Sequence, residues 1–255
     1  MILISLLRRW QWRLRGLLYV TPAALSVAAA CLIVFLVQRG ASRVEFVYGY
    51  SFGQALVPCF GLSWPLFSHG FYWQPVTYMF LHAGWAHLLL NMSVVLFFGP
   101  ALEADIGGRG FWRVFLTGGV AGGLGWMGMT ALTPFLPSAE VLTLWTRALP
   151  EAFRVWLPTS GTTAALDTAM CVGASGGVFA LIGAYAALFP RRIVYLIFPI
   201  PARLSARALV LLLVVLDLAA VLFLRVQVAY AAHLAGCLAG VLYGWRLKRA
   251  DVFGF

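Results

Sequence analysis

Long apolar runs recur along the whole chain, separated by shorter segments that hold most of the polar and basic residues. A helix needs about 20 apolar residues to cross a hydrocarbon core of about 30 Å, and several of these runs reach that length. Because lipid offers the backbone no hydrogen-bond partners, each run predicts an α-helix. The pattern predicts six membrane-spanning helices, over residues 17–37, 86–102, 111–132, 170–189, 208–224 and 228–245.

The composition agrees with a membrane protein built from one helical domain. Hydrophobic residues make up 62% of the 255 residues, charged residues make up 10%, and the mean hydropathy is +0.91. These values lie outside the range of soluble domains, and the apolar excess is spread over the whole length. We expect an all-α membrane protein with a basic cytoplasmic N-terminal segment (1–16), a single six-helix membrane domain (17–246) and a short cytoplasmic tail (247–255).

The net charge of +10 comes mainly from basic residues that flank the apolar runs. In a soluble protein this charge would suggest nucleic acid as a partner, but in a membrane protein it indicates orientation, because Lys and Arg concentrate in cytoplasmic loops. Both termini are therefore expected in the cytoplasm. The flanking residues are Arg8, Arg9, Arg13, Arg15, Arg246, Lys248 and Arg249. We expect a multi-pass protein of a prokaryotic plasma membrane, whose first helix is retained and not cleaved as a signal peptide.

The four cysteines have no spacing that would indicate a disulfide framework or a zinc site. Cys31, Cys171 and Cys237 lie in apolar stretches, where a free thiol behaves as a small hydrophobic group. The sequence therefore predicts no disulfide and no metal. The expected surroundings are the lipid bilayer, without nucleic acid.

Two long loops lie on the outer side of this topology. The first, residues 38–85, is rich in aromatic residues, Gly and Pro, which favours a large structured loop partly within the membrane interface. The second, residues 133–169, contains four prolines and nothing that suggests chemistry. We expect this second loop to be a spacer or to form short surface helices.

A serine and a histidine stand out inside two of the apolar runs. Ser175 lies in the Gly-Ala-Ser-Gly-Gly stretch 173–177, and His233 lies in the last span. Glycines four residues apart share one helix face and let two backbones come close, as at both ends of 173–177 and at Gly236 with Gly240. If these two faces meet, Ser175 and His233 are brought together.

Helix rise places three polar side chains in one layer of the membrane. Counted from the cytoplasmic ends of their spans, Ser175, His233 and His87 lie 15, 13 and 16 residues along the helix. At 1.5 Å per residue they stand roughly 20 to 24 Å above the cytoplasmic edge, where water can enter from the outer surface. Asn91 follows His87 by four residues, so the two share a helix face that should point into the bundle.

These four side chains have the chemistry for nucleophilic catalysis. A serine hydroxyl becomes a good nucleophile when a base takes its proton, and a neutral imidazole such as that of His233 is suited to this. The oxyanion that develops needs fixed donors, for which His87, Asn91 and the Ser175 N–H are candidates. Taken singly, such a serine is more often a packing residue and such a histidine a polar bridge. Their common depth on three helices favours catalysis.

Three motifs, in this order, resemble those of the rhomboid intramembrane serine proteases. The resemblance extends over about residues 73–245. The motifs are His82, His87 and Asn91 (HxxxxHxxxN) entering the second span, Gly173 and Ser175 (GxSG) in the fourth, and His233, Gly236 and Gly240 (HxxGxxxG) in the sixth. Together the three motifs are specific for this family, whereas GxSG alone would be weak evidence for it.

The resemblance implies a compact six-helix protease of bacterial type. It implies Ser175 as nucleophile and His233 as general base in a dyad, with His87 and Asn91 as oxyanion donors. The residues implied in supporting roles are His82, which holds the loop, Gly173, and the close-packing Gly236 and Gly240. Members of the family cut transmembrane segments of membrane-protein substrates near the outer surface, without a metal or cofactor.

The chain departs from the family pattern at three places. The Trp-Arg pair of the first outer loop is Trp73-Gln74 here, and the Glu-x-Arg after the second helix is Glu103-Ala-Asp105. We expect these changes to affect stability and regulation more than chemistry. The position four residues after the nucleophile, often Tyr, is Phe179, which can stack on the imidazole but has no hydroxyl.

Asp217, near the middle of the fifth span, leaves several roles open. An acid at membrane depth is a functional candidate by default. We expect a protonated or hydrogen-bonded structural aspartate. The alternatives are a Ser/His/Asp triad, in which the acid orients the imidazole, and a role in folding or substrate gating.

Two other functions compete with an active protease. One is a proteolytically inactive rhomboid-like protein that binds or routes transmembrane clients, against which the presence of both Ser175 and His233 argues. The other is a transporter, which would show an internal repeat with a broken helix in each half. The sequence shows no such repeat.

Overall fold

The computed structural model describes residues 21–41, 56–57, 59–132, 170–196, 201–223 and 230–253, which form a mostly helical protein. In chain order the elements are α1 (Pro22–Ala41), α2 (Trp64–Ser68), α3 (Gln74–Thr77), a 3-10 turn (Tyr78–Phe80), α4 (Trp85–Leu132), α5 (Ser175–Leu188), β1 (Ile193–Leu196), β2 (Ala202–Ser205), α6 (Ala206–Phe223) and α7 (Tyr230–Phe253).

The long helices form where the apolar runs predict them, with shifts at several ends. α1 continues to Ala41, and α6 begins at Ala206. The predicted second and third spans are the two limbs of α4, which join at Gly107 without an intervening loop (φ 69°, ψ 165°). Glycine adopts this left-handed conformation at no steric cost, so the chain can change direction within a single residue.

Two of the described helices are long and apolar enough by themselves to cross a membrane. They are Pro22–Gly40, within α1, and Trp85–Leu132, the whole of α4. α5 is apolar but has 14 residues, which at 1.5 Å per residue span about 21 Å. Six membrane-spanning helices therefore stay a prediction.

α5 is the central helix of the described bundle. Every residue from Gly176 to Ala187 except Phe179 is buried, and α4 and α7 pack against it most closely. By contrast, α1, α6 and α7 carry large apolar side chains on the outside, among them Ile33, Val215 and Leu238. An apolar exterior of this kind is favourable where the surrounding solvent is lipid.

Small residues let the backbones of three helices meet beside the start of α5. A Cβ on Gly236 of α7 would collide with the Gly176 carbonyl, and one on Gly240 would collide with the Ala180 carbonyl. From α4, a Cβ on Gly122 would lie 3.0 Å from the Gly176 Cα. The expected close packing of α7 on the serine helix is therefore present.

The face of α5 that meets α7 differs from the predicted one. It is formed by Gly176 and Ala180, so the predicted pairing through Gly173 and Gly177 is wrong. Gly177 faces α4, where a Cβ would lie 2.7 Å from a ring carbon of Phe115. The cause is that small residues occupy two faces of this helix, and their spacing fits either one.

A two-stranded antiparallel hairpin joins α5 to α6. In its register Ile193 pairs with Ser205 and Leu196 pairs with Ala202. The hydropathy pattern does not predict this element, because a strand of four residues is too short for alternation to stand out beside longer apolar runs.

Glu103 connects the first limb of α4 to the beginning of α1. Its two carboxylate oxygens accept hydrogen bonds from the backbone N–H groups of Ala23 (2.8 Å) and Ala24 (3.0 Å). The first N–H groups of a helix have no partner inside it, and a negative charge is favourable at that end. The side chain of Glu103 therefore has a clear structural role.

The C-terminal end of the described chain is helical further than predicted. α7 continues to Phe253, so most of the predicted tail 247–255 is helical. Its position in the cytoplasm stays a prediction. The residues that follow Trp245 are good helix formers such as Arg, Leu, Lys and Ala, which explains the extension. Predictions for segment 1–16 and for loop 133–169 lie outside the described residues, as do most of residues 42–58.

Candidate active site

Ser175 is the first residue of α5, with Ala174 as the N-cap. The predicted start of this helix at residue 170 is therefore wrong. Cys171 instead forms an antiparallel bridge with Leu62, with N–H···O distances of 2.9 Å in both directions. Gly173 has a φ of 127°, which lies outside helical geometry and suits glycine. These backbone constraints hold residues 171–173 out of the helix and place Ser175 at its N-terminus.

His87 lies directly against the backbone in front of this serine. A Cβ on Gly173 would lie 2.6 Å from Cε1 and 2.7 Å from Nε2 of the imidazole. Only glycine leaves room for the ring at this position, so any other residue would displace His87. The loop before α5 and the first turn of α4 are thereby fixed next to each other.

Asn91 lies one helical turn beyond His87 on α4, and its side chain is buried. Its Nδ2 donates a hydrogen bond of 3.1 Å to the His87 carbonyl. The carboxamide is thus held on the same face of the helix as the imidazole, as the four-residue spacing predicts.

His82 is fully buried in the loop before α4, with its ring centroid 5.1 Å from that of His87. Its backbone N–H lies 3.4 Å from Oε1 of Gln38 on α1. Burial, and then the neighbouring His87, lowers the pKa of His82 to about 4, so its ring is neutral at pH 7. A neutral, buried ring agrees with packing within the loop.

His233 of α7 stacks on Phe179 of α5. Their ring centroids are 4.2 Å apart and the planes are inclined by only 5°. Phe179 follows Ser175 by four residues, so the two side chains share one face of α5. The imidazole therefore lies over the face that carries Ser175, and the stack that the sequence predicts for Phe179 is present.

Ser175, His87 and His233 all lie in the first turn of their helices. α4 begins at Trp85, α5 at Ser175 itself and α7 at Tyr230. Because these three helices pack on one another, the candidate groups gather at one end of the bundle. This agrees with the single layer that helix rise predicts.

Asp217 of α6 lies at the Nδ1 edge of the His233 ring. Its Oδ1 lies 3.3 Å from Nδ1 of His233, and the carboxylate is buried. The other carboxylate oxygen, Oδ2, has no hydrogen-bond partner among the described residues. The structure therefore brings a third polar group to the serine and the histidine.

Two side chains of the loop before α4 hold it by hydrogen bonds to backbone groups. Trp73 donates from Nε1 to the Cys59 carbonyl at 2.8 Å, and Gln74 accepts from the Ser63 N–H at 3.1 Å. Gln74 is fully buried. The Trp-Gln pair that departs from the family pattern is thus part of the folded loop.

Tyr78 supports the site and is not apparent from the sequence. Its hydroxyl donates to the Gly119 carbonyl at 2.7 Å, and its own carbonyl accepts from the Gly173 N–H at 2.9 Å. It thereby connects the loop before α4, the second limb of α4 and the loop before Ser175. A tyrosine in an aromatic-rich stretch gives no sign of these distant partners.

Within the described residues, no group of three His, Cys, Asp or Glu side chains lies close enough to hold a metal ion. Cys31, Cys171 and Cys237 are buried, as the apolar runs around them predict.

Comparison with known proteins matches residues 69–250 of this chain to the Rhomboid domain. Rhomboid protein 1, mitochondrial, of Saccharomyces cerevisiae is 28% identical over 172 residues, which make up 67% of this chain and 40% of the yeast protein. Rhomboid-related protein 2 of Mus musculus is 30% identical over 181 residues, which make up 68% of this chain and 47% of the mouse protein. The chain thus spans less than half of the length of either relative.

The matched region contains the candidate residues His82, His87, Asn91, Ser175, Asp217 and His233. Members of this family are integral membrane proteins and are generally serine proteases, although some are inactive. Because the matched domain covers well over half of its length, the chain belongs to the rhomboid family.

Proposed function

We propose that the protein is an intramembrane serine endopeptidase, which hydrolyses peptide bonds in or near the transmembrane segments of membrane-protein substrates. Family membership supports this class of reaction, because rhomboid proteins act on transmembrane substrates in the membrane. The observation that carries the proposal is the stack of His233 on Phe179, one turn beyond Ser175 on the same helix face. It supports Ser175 as the nucleophile and His233 as its base.

In the proposed reaction, His233 takes the proton of the Ser175 hydroxyl as Oγ attacks the carbonyl carbon of the scissile peptide bond. The C–N bond of the tetrahedral intermediate then breaks, and His233 gives the proton to the leaving amine. Water, deprotonated by the same imidazole, hydrolyses the acyl-enzyme ester and regenerates the serine. His233 thus acts as base and then as acid in each half of the reaction.

The oxyanion of the tetrahedral intermediate needs donors that are fixed before it forms. The Ser175 N–H is one candidate, since a residue at the start of a helix has no acceptor within that helix. The contact of the His87 ring with Gly173 supports His87 as a second donor. Asn91, held on the same face of α4, is proposed as a third.

Four further residues are assigned supporting roles. His82 packs on His87 and is buried in the loop before α4. Gly173 leaves room for the His87 ring, and Gly236 and Gly240 allow α7 to contact α5 at backbone distance. These four residues thus affect catalysis by holding the reacting groups in place.

The proposal includes a single membrane domain of six spans, residues 17–246, with both termini in the cytoplasm of a prokaryotic cell. The apolar outer sides of α1, α6 and α7 support burial in lipid. Basic residues at the ends of the chain support the orientation. In this orientation the starts of α4, α5 and α7 lie toward the outer surface, so substrate segments and water would reach the site from there.

A fluorophosphonate probe tests the nucleophile directly, because it reacts covalently with an activated serine. The detergent-solubilised protein should be labelled, Ser175→Ala should not be, and His233→Ala should be labelled at least about 100-fold more slowly, in line with the usual contribution of a general base. Gel fluorescence against time gives the rates, and thermal unfolding of each variant confirms that it is folded.

Two outcomes would reject the proposal. Labelling that persists in Ser175→Ala would rule out the assigned nucleophile. A folded wild-type protein that is neither labelled nor able to cleave transmembrane substrates in liposomes would favour the alternative, an inactive rhomboid-like protein that binds or routes transmembrane clients.

A further inference from the structure

We propose that Asp217 is a positioning residue, which accepts a hydrogen bond from Nδ1–H of His233 and so holds the imidazole with Nε2 free to act on Ser175. The effect on catalysis rests on the function proposed above. The hydrogen bond itself is a claim about the folded protein and is testable without activity. It would extend the expected dyad to a serine, a histidine and an acid from three different helices.

The geometry carries the proposal. Oδ1 of Asp217 lies 3.3 Å from Nδ1 of His233, and both side chains are largely buried. The neighbours of Asp217 on α6, Leu216 and Leu218, are 54% and 46% exposed on the outside of the bundle. The side chain of Asp217 therefore points into the bundle, while its two neighbours on α6 point outward. Inside the bundle it contacts the imidazole of His233.

The other groups around His233 cannot replace this contact. Phe179 of α5 covers one face of the ring, and Tyr230, on the same helix as His233, approaches edge-on with centroids 6.2 Å apart. His87 of α4 is a second imidazole, and it lies against Gly173. Within the described part of the chain, Asp217 is the hydrogen-bond partner of Nδ1.

The hydrogen bonding of the carboxylate indicates that its role is to bind His233 and not to stabilise the fold. Burying a carboxyl group at membrane depth is unfavourable, and one retained for folding alone would be expected to satisfy both oxygens. Glu103 does so, since each of its oxygens accepts a backbone N–H at the start of α1. Asp217 has the imidazole on Oδ1 and, among the described residues, no partner on Oδ2.

The chemical consequence follows from the two ring nitrogens. A neutral imidazole carries one N–H and one lone pair, and a carboxylate can only accept, so the proton is fixed on Nδ1. Nε2 then has the lone pair needed to take the Ser175 proton. Asparagine has the same shape but offers an N–H donor as well, so Asp217→Asn permits the opposite tautomer, with Nε2 already protonated.

The tautomer of His233 is measurable by nitrogen-15 NMR of the histidine-labelled wild-type protein in micelles. With four histidines in the chain, the signal of His233 is identified by its loss in His233→Ala. A proton on Nδ1 that is lost or shared in Asp217→Asn is the expected result. A proton on Nε2 in the wild-type protein would overturn the proposal. The wild-type spectrum alone gives this result, so it requires neither activity nor a folded Asp217 variant.

Cleavage kinetics in liposomes test the catalytic consequence. Asp217→Asn should lower kcat by about 100-fold or more with little change in KM, as expected when a base is held in the wrong tautomer. Asp217→Glu, which can still accept from Nδ1, should recover part of the loss. Glu103→Gln is the matched control: it removes a buried carboxylate that serves folding, and should lower stability while each folded molecule keeps the wild-type kcat.

The outcomes separate the two proposals. An active wild type with Asp217→Asn at the same kcat would overturn the role of Asp217 and leave the protease intact. A wild type that is inactive, but whose Nδ1 proton depends on Asp217, would reject the proposed function and retain the hydrogen bond. Equal losses in Asp217→Asn and Asp217→Glu with an unchanged tautomer would also overturn the positioning role.

Discussion

Ser175 owes its chemical setting to its place at the start of a helix. Ser93 and Thr117, in the interior of α4, each donate their hydroxyl to the carbonyl four residues before, at 2.6 Å. That interaction is common for hydroxyls inside helices and occupies the proton that a base would have to remove. The residue four before Ser175 is Cys171, whose carbonyl instead accepts from Leu62 outside the helix. The hydroxyl of Ser175 is thereby left to other partners.

Removal of an oxyanion donor tests the roles proposed for His87 and Asn91. Asn91→Ala should lower kcat by about 10² to 10³ with little change in KM, because the donor acts on charge that develops in the transition state. Cleavage of a transmembrane substrate in liposomes over a range of concentrations gives both constants. Ser93→Ala, an exposed change two residues further along α4, is the matched control and should behave as wild type.

The measurement contradicts the oxyanion assignment if Asn91→Ala is folded and cleaves at the wild-type rate. If the fall in rate is explained by a smaller fraction of folded protein, Asn91 is likewise assigned to folding, since its Nδ2 donates a hydrogen bond to the His87 carbonyl within α4.

At the scale of elements, the site depends on how closely three helices approach one another. α4, α5 and α7 each begin at the same end of the bundle, and their candidate groups lie in the first turn. Gly122, Gly176 and Gly236 remove the side chains that would hold these backbones apart. A gap of the size of one methyl group between α5 and α7 would separate Ser175 from His233, so glycine spacing bears on catalysis as well as on stability.

Gly236→Ala should destabilise the fold by about 1 to 3 kcal/mol, because the added methyl group would overlap the Gly176 carbonyl and force the helices apart. Thermal unfolding in detergent measures the effect, and the probe-labelling rate of the folded protein should fall with it. Gly128 on α4 is the control, since a Cβ there would meet nothing within 4 Å.

Gly128→Ala should be neutral or slightly stabilising, by up to about 1 kcal/mol, because alanine is the better helix former. If the two alanine variants unfold at the same temperature, the close approach of α7 to Gly176 does not determine the stability of the bundle.

At the scale of the whole molecule, the protein has a packed, glycine-lined interior and an apolar exterior. The central helix is buried on nearly every side, while α1 and α6 expose large apolar side chains. Three exposed arginines lie at the opposite end of α5 from Ser175: Arg191 and Arg192 just before β1, and Arg203 in β2. Positive charge at one end and the candidate site at the other predict that the charged end faces the cytoplasm.

Cysteine accessibility checks this orientation. On a background without the four native cysteines, Tyr72→Cys in the loop before α4 should react with a membrane-impermeant maleimide in intact cells. Arg203→Cys in the hairpin should react after the membrane is opened, because basic segments remain in the cytoplasm. Both residues are exposed, so burial does not bias the comparison. The reverse pattern would overturn the cytoplasmic placement of both termini.

The sequence by itself determined the properties that depend on order and distance along the chain. The apolar runs located the long helices, with ends shifted by up to eight residues, because lipid solvation acts on each segment separately. Helix rise put Ser175, His87 and His233 in one layer, because depth in a membrane follows from residue count. The motifs identified the family for the same reason, since they are fixed spacings within short stretches of the chain.

Only the tertiary structure decided which faces meet and where α5 begins. The rotation of a helix about its axis depends on all of its neighbours, so spacing alone could not choose Gly176 and Ala180 over the adjacent small residues. The bridge of Cys171 to Leu62, which moves the start of α5 to Ser175, joins segments more than a hundred residues apart. The contact between Asp217 and His233 likewise needs two helices to be docked, because a hydrogen bond depends on position in three dimensions and not on composition.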